Sequence, residues 1–179
     1  MVARRNQGFS FVELIIAVVV LGIIAAVTMS RFIRSDTYNP AITRDQVISL
    51  ARSAQQKSIG RSDVTLTIQP VSDVIEIRLD DGQGQVQISR VDLPTVEMRA
   101  DVNQLASCSV TAGGFEVTNA APLVLNYDSL GDLISGGVTG SPGFPQAITS
   151  AVRLCINDTT AMSVCWSPSG FAYAGDCLP

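Results

Sequence analysis

Gly8-Phe9-Ser10-Phe11-Val12-Glu13-Leu14 opens a run of 21 residues, Phe9 to Met29, that carries a single charge, that of Glu13. As a helix rising about 1.5 Å per residue, this run covers the ~30 Å hydrocarbon core of a bilayer. Arg4 and Arg5 stand just before it. Positive charge is retained on the cytoplasmic side, so the N-terminus is expected inside and everything after Met29 outside. A carboxylate in hydrocarbon is costly and needs a partner, which singles out Glu13. A cleavable secretory signal would carry its cleavage site after the apolar segment, whereas here the small residue, Gly8, precedes it.

The chain has 179 residues, enough for one ordinary domain plus an extension and too few for two comfortable cores. Charge is unevenly placed. From Arg61 to the end there are five arginines and 13 acidic residues, a balance of −8, and no Lys or Arg follows Arg153. Such a domain repels nucleic-acid phosphates, so no nucleic-acid partner is expected. The absence of histidine removes Ser-His-Asp, Cys-His and His-ligated metal chemistry, and no other nucleophile–base set is visible. No enzymatic activity, cofactor or metal is expected.

Cys108, Cys155, Cys165 and Cys177 all follow the apolar run. An even number in an exported domain reads as two disulfides; with no histidine and no C-x-x-C pair, a metal site is the weaker reading. Two pairings compete. Cys155 and Cys165 flank Asn157–Ala161, a plausible hairpin loop, which would leave Cys108 with Cys177. The rival joins Cys165 to Cys177 and Cys108 to Cys155.

Beyond Met29, Asp36 and Asn39-Pro40 are helix-start signals, a capping residue and then a proline at a first-turn position. Val47, Ile48, Ala51, Ala54, Ser58 and Ile59 then recur at helical spacing among charged and polar residues until Gly60. After Gly60 the period changes to two. Strands are expected around Val64–Ile68, Val74–Leu79, Val86–Ile88 and Val96–Met98, then over Phe115–Val117, Leu123–Tyr127, Val152–Ile156, Ser163–Trp166 and Phe171–Ala174. Asp80-Asp81-Gly82 reads as a hairpin turn, and the Gly- and Ser-rich segment Gly131–Pro145 as a loop that need not hold one shape. The expected fold is α+β, a long N-terminal helix whose first half spans the membrane, packed on an antiparallel β-sheet head. The expected division is 1–8, 9–29 transmembrane helix, 30–60 amphipathic continuation and 61–179 extracytoplasmic head, with 1–8 a leader and 9–29 also the filament-core helix as the resemblance of Gly8–Leu14 to pilin precursors implies.

The heptapeptide Gly8–Leu14 resembles the processing site of type IV prepilins and pseudopilins: glycine, aromatic, small hydroxyl residue, two apolar residues, glutamate, leucine. That resemblance implies a membrane aspartyl peptidase, which would cut the bond Gly8–Phe9 and methylate the new amino group of Phe9. Small, flexible Gly8 suits the extended backbone such an enzyme must seat. Glu13 would then be the fifth mature residue, pairing with the terminal amino group of a neighbouring subunit and setting axial register. Gly22 would mark where the helix can loosen on leaving the bilayer, or simply a close-packing point. Many pilins carry proline where Ser30 stands, so a kink there is less secure.

The amphipathic run Asp45–Gln56, ending in Ala54-Gln55-Gln56, resembles minor pilins and minor pseudopilins of the GspH/FimT type, whose head is two antiparallel sheets packed on the helix. Arg31-Phe32 and the C-terminal segments around Cys165-Trp166 and Asp176-Cys177 resemble more narrowly a minor pilin of mannose-sensitive haemagglutinin (MSHA) pili. The implied partners are other pilins or pseudopilins, the prepilin peptidase, the inner-membrane assembly platform and the membrane itself. The implied location is the inner membrane, single-pass with the head periplasmic, and then the filament. Some relatives bind DNA through a basic C-terminal region, but here the last 26 residues hold no positive charge. Asp80–Gly84 has oxygen ligands and turn glycines but lacks the alternating acidic positions and later glutamate of a calcium loop. Trp166, Phe171 and Tyr173 are expected in the core, with a ligand-stacking surface as the alternative.

Overall fold

The structure, a computed structural model, describes residues 11–32, 39–72, 74–92, 97–103, 108, 114–157 and 159–177. The leader with Gly8 and Phe9, the cap Asp36 and the strand residue Val96 lie outside them. The chain divides into two compact units, Met1–Tyr38 and Asn39–Pro179.

In the first unit, helix α1 runs over Phe11–Phe32. It is built from β-branched and aliphatic residues in nearly unbroken succession, so it has no polar face. Side chains are described for its residues 11–24, and among the described residues no helix offers an apolar span long enough to cross a membrane.

In the second unit, helix α2 spans Asn39–Ser58, with Pro40 in its first turn and Gly60 just past its end in a left-handed conformation. Thr43, Val47, Leu50, Ala51, Ala54 and Ser58 form its buried stripe. Two antiparallel sheets complete the unit. The larger contains β1 (Val64–Val71), β2 (Val74–Asp80), β3 (Val86–Asp92), β6 (Leu123–Tyr127), β7 (Leu133–Val138) and β8 (Gln146–Ala147), in the order β3-β2-β1-β6-β7-β8. The smaller contains β4 (Met98–Val102), β5 (Phe115–Glu116), β9 (Val152–Ile156), β10 (Thr159–Trp166) and β11 (Ala172–Ala174), in the order β11-β10-β9-β4-β5. Alternation decides which side is inside. Leu66, Ile68, Ile77 and Leu125 from the larger sheet join Met98, Leu154, Val164 and Trp166 from the smaller in one apolar core with the α2 stripe.

Two expectations are corrected and one is borne out with an added detail. The segment Gly131–Pro145 is not a shapeless loop, because β7 takes up its first half and pairs with β6 over Leu123↔Val138 to Tyr127↔Leu133. Glycine there serves close approach. A Cβ on Gly136 would sit 2.6 Å from the Val124 carbonyl oxygen and 2.9 Å from a Leu125 methyl. Second, Val86 and Ile88 do form a strand, but β3 is an edge and both side chains are exposed. Third, Trp166 is fully buried as expected, whereas Phe171 is 48% exposed. The Arg52 guanidinium lies over its ring, 5.0 Å from the centroid, and donates to the Ala172 carbonyl at 3.1 Å.

Candidate functional site

The helical segment of the first unit holds one functional candidate that can be placed. Glu13 sits in the first turn of α1, where the partial positive charge of a helix N-terminus favours a carboxylate. Around it every side chain from Phe11 to Ile24 is exposed, Phe11 at 76% and Leu21 at 65%. A helix apolar on all sides is stable only when lipid or other protein covers it. The space around Gly22 is open, with nothing within 4 Å of a Cβ built there.

In the second unit the cysteines pair as Cys108–Cys155 and Cys165–Cys177, with Cα separations of 5.5 and 5.3 Å. The strand register explains why Cys155 and Cys165 do not join each other. On the β9–β10 ladder Cys165 stands opposite Arg153, and the register shifts between Thr159 and Val164, so Cys155 has no cysteine directly across. Val152, Leu154 and Ile156 point into the core, which puts Arg153, Cys155 and, across the ladder, Cys165 on the outer face of the smaller sheet. Both disulfides therefore tie segments onto that outer face. This accounts for β9 being buried at all five positions. Arg153, 4% exposed, lies in the same place; its Nε donates to the Cys177 sulfur at 3.4 Å and its guanidinium is 3.7 Å from the Asp176 carboxylate.

Asp81 belongs to a turn. Its Oδ1 accepts from the backbone N–H groups of Gln83 and Gln85, at 2.9 and 3.0 Å, and Oδ2 meets Arg61 at 3.0 Å. The Gln83 amide holds the carboxyl below the ordinary carboxylate range; burial opposes it, and the Gln85 amide and Arg61 reinforce it. With its oxygens engaged in this way, Asp81 ties together the connection between β2 and β3, the five residues 81–85. Deep in the core, burial pushes the Tyr127 hydroxyl well above its ordinary value, with the neighbouring Trp166 indole pulling slightly back.

Two groupings were not anticipated from sequence. Gln55 on α2 donates to the Ser169 carbonyl at 2.6 Å, next to the Arg52–Phe171 contact, so α2 holds the β10–β11 turn from two points. Gly170 permits this, since a Cβ there would collide with the Gly131 carbonyl oxygen. The second is a polar row across β1, β6 and β7. Thr65 Oγ1 donates to Asn126 Oδ1 and Asn126 Nδ2 to Ser135 Oγ, each at 3.1 Å. In sequence these residues are merely the polar members of alternating strands; only the register aligns them.

The family model described as the prokaryotic N-terminal methylation motif matches residues 3–29. The match supports a type IV pilin-like or pseudopilin subunit made as a precursor and fits a membrane-anchored chain. It covers the stretch that contains Gly8–Leu14 and α1 up to Met29, and it leaves the two-sheet unit untouched. No curated protein and no solved structure matches the chain.

Proposed function

We propose that the protein is a minor pilin, a non-catalytic subunit built in small numbers into a type IV pilus. The observation that carries this reading is the complete heptapeptide Gly8–Leu14, inside the matched methylation motif, leading into a helix with no polar face. In this account prepilin peptidase cuts between Gly8 and Phe9 and methylates Phe9. The run Phe9–Met29 spans the inner membrane with the head in the periplasm, until the assembly platform moves the subunit into the filament. There the apolar surface of the helix exchanges lipid for the helices of other pilins, and Glu13 pairs with a neighbour's terminal amine, which fixes axial register. Two sheets packed around a helix, with a cysteine-closed C-terminus, favour the GspH/FimT type of subunit. Within it, they favour a role like that of MshC in MSHA pili, supporting assembly and adhesion.

The same features suit a minor pseudopilin of a type II secretion system. From a different class, the head is a ligand-binding module that the pilin helix merely displays. The experiment is complementation of a deletion strain with wild type and with Glu13→Ala, scoring filaments by electron microscopy, surface attachment and protein secretion. The minor-pilin reading predicts few or no pili in the deletion strain, and a Glu13→Ala chain that is processed but absent from sheared filaments. Normal pili with lost secretion would transfer the protein to the secretion machine. Normal pili with lost attachment would make the head the working part.

A further inference from the structure

We propose that the cleft at the foot of β1, β6 and β7 is a docking site for a partner protein, which seats a lysine ammonium group there. The cleft encloses about 440 Å³, within the usual range of small-molecule sites of roughly 300–1,000 Å³. Among the described residues its lining holds two carboxylates, Asp63 and Asp128, and no Lys or Arg. Arg61, the nearest cation in sequence, is engaged by Asp81 at 3.0 Å. The chain from Arg61 onward has a balance of −8, so the wider field also draws a cation.

The hydrogen-bonding groups make the same selection. Thr65 Oγ1 donates its one hydrogen to Asn126 Oδ1, so it can only accept from a ligand. Asn126 Oδ1 keeps a second lone pair, and so does the Ser135 hydroxyl, which accepts from Asn126 Nδ2. Asp128 Oδ1 takes the Leu130 and Asp132 amides at 2.8 and 2.9 Å, which leaves Oδ2 open. The Asp63 carboxylate makes no hydrogen bond or ion pair among the described residues. Such a surplus of acceptors suits a group that only donates, and an ammonium has three donors and no acceptor. A neutral polyol gains nothing from the two negative charges. A planar guanidinium wants a carboxylate with both oxygens open, and Asp128 offers one. Tyr127, the aromatic residue of the lining, is buried in the core, so no aromatic cage is present for a quaternary ammonium. Oxygen-ligated metal ions need about six or more ligands within roughly 2.6 Å, a far smaller cage, and no cluster of three or more metal-binding side chains occurs among the described residues.

Exposed aliphatic side chains beside the cleft identify the carrier as a protein. Leu130, 77% exposed, is carried on the β6–β7 turn, and its amide is held by the same Asp128 whose second oxygen is open. Ile59 is exposed next to it: its Cγ1 lies 3.7 Å from where a Cβ on Gly131 would sit, and Gly60 donates to the Ser129 carbonyl at 2.9 Å. In the cleft itself, Ile134 is the extra residue of a bulge on β7, since Tyr127 pairs with Leu133 while Asn126 pairs with Ser135. It gives the lysine stem an apolar wall. A free amine would leave Ile59 and Leu130 in water, whereas a protein surface covers them. The partner segment therefore carries a lysine beside an aliphatic residue. The cleft lies in the head alone and does not depend on how the N-terminus is processed.

The test is a chemical-shift titration of the full chain in a nonionic detergent, read at the Asn126 side-chain amide, with the peptide acetyl-Gly-Leu-Lys-Leu-Gly-amide. The expected dissociation constant is roughly 1 mM, as a short flexible peptide on an open cleft gives. The same peptide with Nε-acetyl-lysine should bind about tenfold more weakly, because the charge is gone. Asp63→Asn and Asp128→Asn keep the side-chain size and should each weaken the lysine peptide about tenfold, the loss of one charge-assisted hydrogen bond. Unchanged Trp166 fluorescence certifies that both variants fold. No shift with the lysine peptide, equal affinity for its acetylated form, or unchanged affinity in both variants would each overturn the proposal. Tighter binding of spermidine or of calcium ions than of the peptide would overturn it as well, making the cleft a site for a free polyamine or a metal.

Discussion

Replacing each cystine in turn by alanines measures how the two bridges divide the stabilisation of the head. The Cys108–Cys155 bridge closes a separation of 47 residues and Cys165–Cys177 one of 12. A cross-link stabilises mainly by restricting the unfolded chain, so its effect grows with the logarithm of the loop. On that treatment the longer loop contributes about 4 kcal/mol and the shorter about 2.8 kcal/mol at room temperature. Arg153 narrows the gap, because deleting the Cys177 sulfur removes a contact of a 4%-exposed guanidinium. Trp166, the only tryptophan in the chain and fully buried, gives a head-specific fluorescence signal for urea unfolding in detergent micelles. The expected order is wild type above Cys165→Ala/Cys177→Ala above Cys108→Ala/Cys155→Ala. Digestion before aspartate separates all four cysteines, since Asp128, Asp132, Asp158 and Asp176 fall between or beside them. Non-reduced maps should therefore link the fragments starting at Asp101 and Asp132, and those starting at Asp158 and Asp176. A reversed order of stability, or losses under about 1 kcal/mol for both pairs, would refute the loop-entropy account.

Gly136→Val should destabilise the head by about 2 kcal/mol or more, since backbone and a Leu125 methyl already occupy the space a side chain needs. Thermal melts read by Trp166 would check it, and a neutral outcome would mean the β6–β7 pairing is not as close as described. For Asp81→Asn the prediction concerns pH. The folded carboxyl titrates below its unfolded value, so its contribution is present above the ordinary carboxylate range and fades as pH falls through the folded value. Wild type and variant should differ at neutral pH and converge in strong acid; a constant gap down the titration would contradict this.

Much of the architecture could be read from residue order, because it rests on local chemistry. Pro40 and Gly60 bound α2 because one needs no N–H and the other accepts a left-handed backbone. The core faces of β1, β2 and β6 follow from strict alternation at Val64, Leu66, Ile68 and their partners. What escaped depends on contacts between distant segments. Gly136 looks like a loop residue until β6 is seen lying against it. Phe171 has the composition of a core residue, yet a cation from α2 covers it in place of the core. The cystine pairing turned on whether Cys165 faces Cys155 or Arg153, a matter of one register shift. At the candidate site, Glu13 and its apolar surroundings were plain from spacing alone, whereas the Thr65–Asn126–Ser135 row exists only through strand register.

The central claim is that the N-terminus is a processed pilin terminus. Co-expression of the full chain with a prepilin peptidase, followed by intact-mass and N-terminal peptide analysis, tests it most directly. The account predicts a mature chain beginning at Phe9 with one methyl group on its amino nitrogen, and an unprocessed chain when Gly8 is replaced by a bulky residue. A chain that retains residues 1–8, or one cut after the apolar run, would contradict it.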